Sequence, residues 1–473
     1  MSISRRTLLG AGVTVGALAA TGLPALADQK VNPHTTGKPF GALRPGPDQL
    51  ALPKGFSAKR VVTIGVEPLL DGPGGAVVGK TASNLDGTGC FEKRGRTFLV
   101  INHECRASAA APVPLVAGTV YDAGVPTGMG GNSVVEVTRE GDFVQQWVGL
   151  SGTIRNCAGG ETPWGSWLAC EEDTTKAGAT VTTSAGQAFT TQKDHGYVFE
   201  VFPAAPTAQI PVPIKAWGRA VWEGAAIGPQ RKDAYLTEDA GGGLFYRWTA
   251  PKGSVMKPGL ALQFDENDGV LQAAQLIRSG TPLVHYGQLT EADLNRPYPV
   301  KWVDGGADRQ AQDSNLRAQF PGATVHPKIE GCWTDGKGLW IALSYTNAGQ
   351  LAAYPTLGLT GDSGMVLFYD YRAQSLTLKE YYANGNAHGF HGPDNITVSP
   401  FGTIVIAEDG DNPCSLISWT PKGGSQELVR DLGDRGEWAG PAFSREGRVL
   451  YASIQSTATY AITGPFKKHL GAH

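Results

Sequence analysis

Six copies of one two-strand pattern run through the chain. Each copy has a short β-type run that ends in polar or acidic residues, then a turn, then a second run rich in aromatics. The first runs are TFLVINHE (97–104), SWLACEED (166–173), AYLTEDA (234–240), GLWIALSYT (338–346), TIVIAEDG (403–410) and RVLYASIQ (448–455). Their partners are SVVEVT (133–138), GYVFEV (196–201), GLFYRW (243–248), GMVLFYDY (364–371), SLISWT (415–420) and TYAIT (459–463). Serial strand pairs that bury their apolar faces against neighbours predict an all-β fold, a six-bladed β-propeller.

The composition agrees with many turns and few long helices. The 473 residues include 64 glycines and 31 prolines, and only 18% are charged. The long insertion from 250 to 325 is expected to add short helices to the propeller. A net charge of −3, from 40 basic and 43 acidic residues, gives no electrostatic reason to expect nucleic acid or an anionic membrane as the partner.

The N-terminus carries the pattern of an export signal. Arg5 and Arg6 precede an apolar run over residues 8–20, and Ala25-Leu26-Ala27 forms a small-residue cleavage site. We therefore expect a twin-arginine signal peptide over residues 1–27, followed by a single domain over residues 28–473. The expected partner is the twin-arginine export machinery, and the expected location is periplasmic or extracellular. The apolar run is too short and too interrupted for a stable membrane anchor.

Carboxylates recur at the same phase of the repeat, beside small residues. They are Glu161, the glutamates of WEG (222–224), IEG (329–331) and EWAG (437–440), and the aspartate of PDN (393–395). The innermost strands of a propeller converge on one channel, so these acids would meet there. Crowded like charges raise one another's pKa unless protons or cations neutralise them, which favours a metal site. For each acid alone, capping of a turn remains an equally good explanation.

No strong competing catalytic motif is present. The chain has no Walker-type loop, no GxSxG elbow and no HExxH pair. Six cysteines in an exported protein are compatible with disulfides, but a chain of this size does not need them. Their pairing is therefore left open, as is the possibility that some are buried and inert.

Several motifs, in order along the chain, resemble those of the PhoX family of secreted phosphatases. They are the twin-arginine leader, NHE (102–104), NCAGGETPWGSWLACEED (156–173), GRAVWEG (218–224), YLTED (235–239), IEGCW (329–333), AEDG (407–410) and ITGP (462–465). The resemblance implies a six-bladed propeller with small helical insertions. It also implies a cluster of iron and calcium ions, Fe³⁺ and Ca²⁺, at which a small-molecule phosphate ester is hydrolysed.

The resemblance also implies roles for individual residues. Cys157 would be a thiolate ligand of iron, and Glu172, Glu223 and Glu330 would be metal-binding carboxylates. Further metal candidates are Glu104, Glu171, Glu238, Asp394, Glu408 and Asp409. The candidate catalytic residues are Lys328, Glu330 and Asn102. Lys328 stands where the family has an arginine, and a lysine binds a phosphate as a point charge without the planar two-pronged contact.

Two other functions fit the repeated carboxylates. A calcium-dependent propeller hydrolase of lactones or neutral esters would also gather acids around one channel, but it would need neither iron nor a thiolate. A non-catalytic binding propeller would use calcium only to tie its blades together. Iron together with calcium would favour the phosphatase, and calcium alone would favour the lactone hydrolase.

Overall fold

The protein is an all-β molecule with a propeller-like arrangement of strands. A computed structural model describes residues 40–125, 129–183, 186–205, 210–312, 314–326, 328–345, 363–382, 391–410, 413–421 and 423–470. Two short α-helices lie in this part of the chain, α1 (Ser314–Arg317) and α2 (Phe466–Leu470). No helix among these residues is long and apolar enough to span a membrane. The export signal predicted over residues 1–27 lies outside the described residues.

The described residues contain thirty-one strands. The first nine are β1 (Arg44–Pro45), β2 (Leu50–Leu52), β3 (Ser57–Thr63), β4 (Pro68–Leu70), β5 (Val77–Lys80), β6 (Leu85–Lys93), β7 (Arg96–His103), β8 (Gly131–Val137) and β9 (Phe143–Ser151). The next eleven are β10 (Gly160–Glu161), β11 (Trp167–Cys170), β12 (Thr180–Thr182), β13 (Ala188–Thr190), β14 (Val198–Val201), β15 (Trp222–Ile227), β16 (Asp233–Glu238), β17 (Phe245–Thr249), β18 (Val270–Arg278), β19 (Thr281–Pro282) and β20 (Pro297–Asp304). The last eleven are β21 (Ile329–Thr334), β22 (Gly338–Tyr345), β23 (Ser363–Asp370), β24 (Ser375–Tyr382), β25 (Pro393–Val398), β26 (Ile404–Glu408), β27 (Ser415–Thr420), β28 (Gly424–Asp431), β29 (Trp438–Phe443), β30 (Val449–Ile454) and β31 (Ala458–Thr463).

These strands form antiparallel meanders in chain order. The runs β6–β9, β15–β18, β21–β24 and β25–β28 are four-stranded, β10, β11 and β14 form a three-stranded sheet, and β29–β31 are completed by β3. All six strand pairs predicted from the sequence are present as antiparallel neighbours, and each is the second and third strand of its meander. The sequence pattern therefore located the middle of each unit, and the repeated acids identified in the sequence lie on or beside the first strands.

The first strands of the units lie next to one another at the centre. Strand β6 contacts β10 and β29, β15 contacts β10, β11 and β21, and β25 contacts β21 and β29. The apolar cores lie between adjacent sheets. One core, for example, joins Val405 and Leu416 of one sheet to Leu450 and Tyr460 of the next. Each such side chain contributes about 1.5–3 kcal/mol by its removal from water, so the sheets are held face to face by their shared cores.

The insertion from 250 to 325 combines two long strands with short helices. Its longest elements are β18 and β20, which pair with each other and join two meanders into one ten-stranded sheet through the β20–β24 contact. The short helices in its described residues are α1 and three single 3-10 turns, over Leu260–Leu262, Tyr286–Gln288 and Glu291–Asp293. The insertion thus continues the sheet structure, with short helices only in its connections.

Candidate metal centre

The first strands of the units share an irregularity that presents a carboxylate to the centre. In β6, β15, β21 and β25, two residues stand opposite one residue of the next strand, so the ladder is interrupted by a β-bulge. The first of the two bulged residues is always an acid, in chain order Asp86, Glu223, Glu330 and Asp394. Because a bulge releases residues from the ladder and turns their side chains, it gives each acid a new direction. In β29 the bulge falls at Gly440-Pro441, three residues after Glu437.

Glycine follows most of these acids because neighbouring first strands approach too closely for a side chain. A Cβ atom on Gly87 would collide with the carbonyl oxygen of Ala158, at the entry to the next unit. Gly440 has a left-handed backbone, with φ +54°, and a Cβ there would collide with the carbonyl oxygen of Asp86. The acid–glycine pairs therefore serve two purposes: the acid faces the centre, and the glycine lets the strands meet.

The second strands contribute a second set of polar groups at their ends. Each strand ends in two polar residues, or is followed directly by them, and successive side chains of a strand point to opposite sides. The residues that face the central cavity are Glu104, Glu172, Asp239, Asp409 and Gln455. Glu171, Glu238 and Glu408, which directly precede three of these residues, were predicted as further metal candidates, but they do not line the cavity.

Those three predecessors are bound to other parts of the protein. Glu171 accepts hydrogen bonds from the backbone N–H groups of Ile154, Gly196 and Tyr197, at 2.9–3.2 Å, and contacts the His195 ring at 2.7 Å. Its carboxylate therefore organises the loop behind the cavity.

Glu238 and Glu408 have comparable surroundings. Glu238 accepts from the Tyr246 hydroxyl at 3.0 Å and forms an ion pair with Arg317 at 2.6 Å. Glu408 accepts a backbone N–H at each oxygen, from His391 and Ser415.

The two sets meet in a cavity of about 990 Å³. Nine of its side chains form four overlapping groups in which the potential ligand atoms lie within 4.8 Å of one another. The groups are Asp86–Glu104–Cys157, Cys157–Glu172–Glu223, Glu223–Glu330–Asp394 and Asp394–Asp409–Glu437. Since each group shares a residue with the next, the nine donors form one continuous chain of possible cation sites.

Burial and mutual repulsion disfavour negative charge on these groups when no cation is present. Burial, followed by the charge of Glu104, raises the pKa of Asp86 to about 7, and burial raises that of Glu330 to about 7 although Lys328 opposes the shift. For the same reason the pKa values of the Glu172, Glu223, Asp394 and Glu437 carboxyls and of the Cys157 thiol lie well above their usual ranges.

Two partly buried cations already neutralise part of this charge. Arg155 Nε lies 2.7 Å from Glu104 Oε1, and its Nη1 lies 2.8 Å from Glu172 Oε1. Although burial of Glu104 acts in the opposite direction, Arg155 and Arg106 lower the pKa of Glu104. Lys328 Nζ lies 2.7 Å from Glu330 Oε1 and 3.7 Å from Asp239 Oδ2. Lys328 thus lies inside the cavity, beside Glu330, as the sequence predicted.

Asn102 was a candidate catalytic residue in the sequence, but its side chain is fully buried against the segment that carries Cys157. Its side-chain amide donates to the carbonyl oxygens of Cys157 and Ala158, at 2.7 and 2.6 Å, and its oxygen accepts from the Trp167 indole. It stands opposite the Asp86 bulge and is fully buried. Asn102 is therefore a positioning residue that holds the Cys157 segment against β7.

Three residues that line the cavity were not predicted from the sequence, and Glu161 was predicted for the centre but lies elsewhere. Asp86 belongs to LDGTG (85–89), which has the same acid–glycine pair as WEG and IEG, so this signal was available. Asp239 and Gln455 were also missed, because the sequence does not show which residue at a strand end faces the centre. Glu161 was placed with the repeated acids, but it accepts the Cys90 backbone N–H at 3.0 Å and borders a separate cavity of about 260 Å³. The position in the second unit that faces the centre is Cys157.

Fold and cavity together define an all-β, propeller-like protein with an acidic centre of the kind that binds metal cations. The chain belongs to the alkaline phosphatase PhoX family, whose profile matches residues 38–148 and 140–458. It is therefore a phosphatase that acts on phosphate esters, which decides against the lactone hydrolase and against the non-catalytic propeller. A sequence comparison with curated proteins finds no match.

The fold is similar to that of a solved member of this family. Pseudomonas fluorescens PhoX in complex with vanadate, a transition state analogue, matches with a TM-score of 0.64 and 18% identity, over 92% of this chain and 98% of that chain. A gluconolactonase from Xanthomonas campestris has a TM-score of 0.34 and 12% identity, over 90% and 99% of the two chains. The Pan2 WD40 domain of Neurospora crassa has a TM-score of 0.35 and 9% identity, over 82% and 92%.

Proposed function

We propose that this phosphatase hydrolyses small phosphate esters at a cluster of calcium and iron ions held by the nine side chains around the central cavity. The observation that carries the proposal is the continuous series of four donor groups, each sharing a residue with the next. Turn capping would account for single acids, but it would not bring acids from successive strands within 4.8 Å of one another. We also propose that the six units are the blades of a closed propeller, which the ring of contacts between first strands supports.

The donor chemistry fits two kinds of cation. The groups Glu223–Glu330–Asp394 and Asp394–Asp409–Glu437 offer only oxygen, which calcium prefers. Cys157 belongs to the other two groups, and a thiolate beside carboxylates suits iron. Two buried oxygens, Glu223 Oε1 and Asp239 Oδ1, have no hydrogen-bond partner among the described residues. Bound cations would satisfy those oxygens and would remove the repulsion that raises the carboxyl pKa values.

When bound, such cations supply positive charge that binds and polarises the phosphoryl oxygens. The chain contributes a further positive charge through Lys328. Burial would lower the pKa of Lys328, but the neighbouring Asp239 and Glu330 outweigh this effect and raise it well above the usual range. The ammonium group therefore stays protonated under alkaline conditions and is available to bind a phosphoryl oxygen. Glu330 holds Lys328 in place at 2.7 Å.

Other residues fix the positions of the ligands. Asn102 anchors the carbonyl oxygens beside Cys157, so the thiol cannot move away from Glu172 and Glu223 without breaking two hydrogen bonds. Arg155 holds Glu104 and Glu172 together from the cavity edge. Ser344 donates a hydrogen bond to Glu330. Support of this kind typically contributes a factor of about 10–100 in metal affinity or activity.

We further propose that residues 1–27 are a twin-arginine signal peptide and that residues 28–473 are exported as one folded domain. The support is the Arg5-Arg6 pair, the short apolar run and the Ala25–Ala27 cleavage site. This pathway carries folded proteins, which agrees with a metal cluster that must be assembled before export. Replacement of both arginines by lysine should leave the enzyme in the cytoplasm, as fractionation would detect.

The central test is element analysis of the exported protein together with its activity on p-nitrophenyl phosphate. We expect both iron and calcium, and we expect chelation to lower the turnover and the melting temperature together, because an ion bound only by the folded state stabilises it. Glu223→Gln should lose metal, whereas the matched variant Glu161→Gln, at a buried carboxyl outside the cavity, should keep it. Full activity and an unchanged melting temperature in metal-free protein would overturn the proposal.

A further inference from the structure

The wall of the central cavity is polar, and the cavity is much larger than a phosphate group. Its volume is about 990 Å³, and none of its described lining residues is aromatic. Apart from Cys157, apolar side chains come only from Val221 and Ala240. Sites that bind aromatic or acyl groups are lined mainly by apolar and aromatic side chains. The cavity therefore fits an ester whose alcohol part is small and polar.

Arg106 is a cation at the edge of this cavity. Its side chain is 60% exposed, compared with 22% for Arg155 and 14% for Lys328. Its Nη2 atom lies 3.2 Å from Glu104 Oε1, and the same carboxylate is held more closely by Arg155 at 2.7 Å and by Gln455 at 2.8 Å. Arg106 is thus the most distant of these three partners of Glu104, and its side chain is largely exposed to solvent.

The position of Arg106 relates it to the proposed metal sites. Glu104 belongs to the group Asp86–Glu104–Cys157, so Arg106 lies one side chain away from the atoms that would bind cations. Arg106 and these ligand atoms line the same cavity. An anionic group on a small ester whose phosphate binds among the cations would therefore have this guanidinium as a nearby cationic partner.

We propose that the preferred substrates are small phosphate monoesters whose alcohol part carries a second anionic group, and that Arg106 binds this group. The inference rests on the proposed function, since the phosphate end must bind among the cations. A planar guanidinium grips a carboxylate or a phosphate through two parallel hydrogen bonds, which gives Arg106 a preference for these groups over a hydroxyl. Arg106 is therefore a residue that determines specificity at the cavity edge.

Two nearly identical esters provide the test. 3-Phosphoglycerate differs from glycerol 3-phosphate by a carboxylate in place of a hydroxymethyl group. We expect the wild-type enzyme to have the higher kcat/KM for phosphoglycerate, and Arg106→Ala to lower the ratio of the two kcat/KM values by about fivefold, as for one solvent-accessible charge contact. The change should appear in KM, because the contact is with a part of the substrate that does not react. Arg106→Lys should retain most of the ratio.

Arg139→Ala is the matched control. Arg139 has a 61% exposed side chain and an ion pair with Glu446 at 2.6 Å, but it lies outside the cavity lining. Its loss should leave the ratio unchanged. The inference is overturned if wild-type enzyme shows no preference, if Arg106→Ala leaves the ratio intact, or if Arg139→Ala changes it equally. Failure to hydrolyse either ester and p-nitrophenyl phosphate would instead overturn the proposed function, and the inference with it.

Discussion

Adjacent carboxylates in this protein have opposite surroundings. At the end of β11, Glu171 accepts three backbone N–H groups and contacts His195, whereas Glu172 faces the central cavity beside Cys157 and Glu223. Glu238 and Asp239 differ in the same way, as do Glu408 and Asp409. The chemical group is the same, and the direction of the side chain alone decides whether it organises the fold or belongs to the site.

The sharpest test of this comparison exchanges each member of one pair for glutamine. Glu172→Gln should reduce the turnover of p-nitrophenyl phosphate by at least about a hundredfold, because an amide cannot replace a ligand carboxylate in a preorganised charged site. Glu171→Gln should leave the turnover of folded enzyme near that of wild type. It should instead lower the free energy of unfolding by about 3 kcal/mol, because His195 and the backbone donors lose an ionised partner.

Steady-state kinetics well below the melting temperature, denaturant titration and element analysis would check both variants. If Glu171→Gln loses metal as completely as Glu172→Gln does, then side-chain direction does not separate the two roles.

A second comparison uses two cysteines of the same motif. Cys157 lies in the cavity, whereas Cys170 is a fully buried core residue of β11, and neither forms a disulfide among the described residues. Cys157→Ser should lower the bound iron and reduce turnover by about a hundredfold, because a hydroxyl is a poor substitute for a thiolate. Cys170→Ser should keep the iron and affect stability alone. Equal iron content in the two variants, measured by element analysis, would contradict the assignment of Cys157.

A smaller effect is expected at Lys328, the cavity cation at a position where the family has an arginine. Lys328→Ala should lower the turnover of p-nitrophenyl phosphate by about thirtyfold, which corresponds to about 2 kcal/mol for one charged contact. Lys328→Arg should raise the turnover above that of wild type, because a guanidinium can contact two phosphoryl oxygens. Kinetics that stay within about twofold of wild type for both variants would exclude Lys328 from phosphate binding.

The last prediction concerns the buried His195, which contacts Glu171 behind the cavity, and the dependence of stability on pH. Burial disfavours a charge on His195, but Glu171 and Asp122 outweigh it and raise the pKa of His195 to about 9. The folded state therefore holds a proton that the unfolded state releases near pH 6.5, so the resulting stability is complete below about pH 6.5 and is lost as the pH rises through about 9.

The free energy of unfolding should accordingly decline over this interval in wild-type protein, and His195→Gln should remove this part of the decline. Denaturant titrations at a series of pH values would measure it. A decline of the same size in the variant would assign the effect to other groups.

Much of this arrangement could be read from the sequence, since the strand pairs and eight of the nine cavity donors were named in advance. Direction at the strand ends could not be predicted, because it depends on how each strand pairs with its neighbours. At the end of β16, for example, Glu238 pairs with Trp222, and the next residue, Asp239, faces the cavity. The sequence shows which residues are adjacent, but the pairing decides which of them faces the centre.

The pairing of β3 with β31 has a consequence for how the protein is made. Ser57 and Thr463, which face each other across this pairing, stand 406 positions apart in the chain. The last sheet cannot be completed until the ribosome has synthesised nearly all of the described chain, and such distant contacts form slowly. A nascent chain that lacks its last meanders thus has unmatched edges and an open centre, in which early cavity residues such as Asp86 and Cys157 still lack Asp394, Asp409 and Glu437. Assembly of the centre is therefore a late event, which couples any loading of ions to completion of the last sheet.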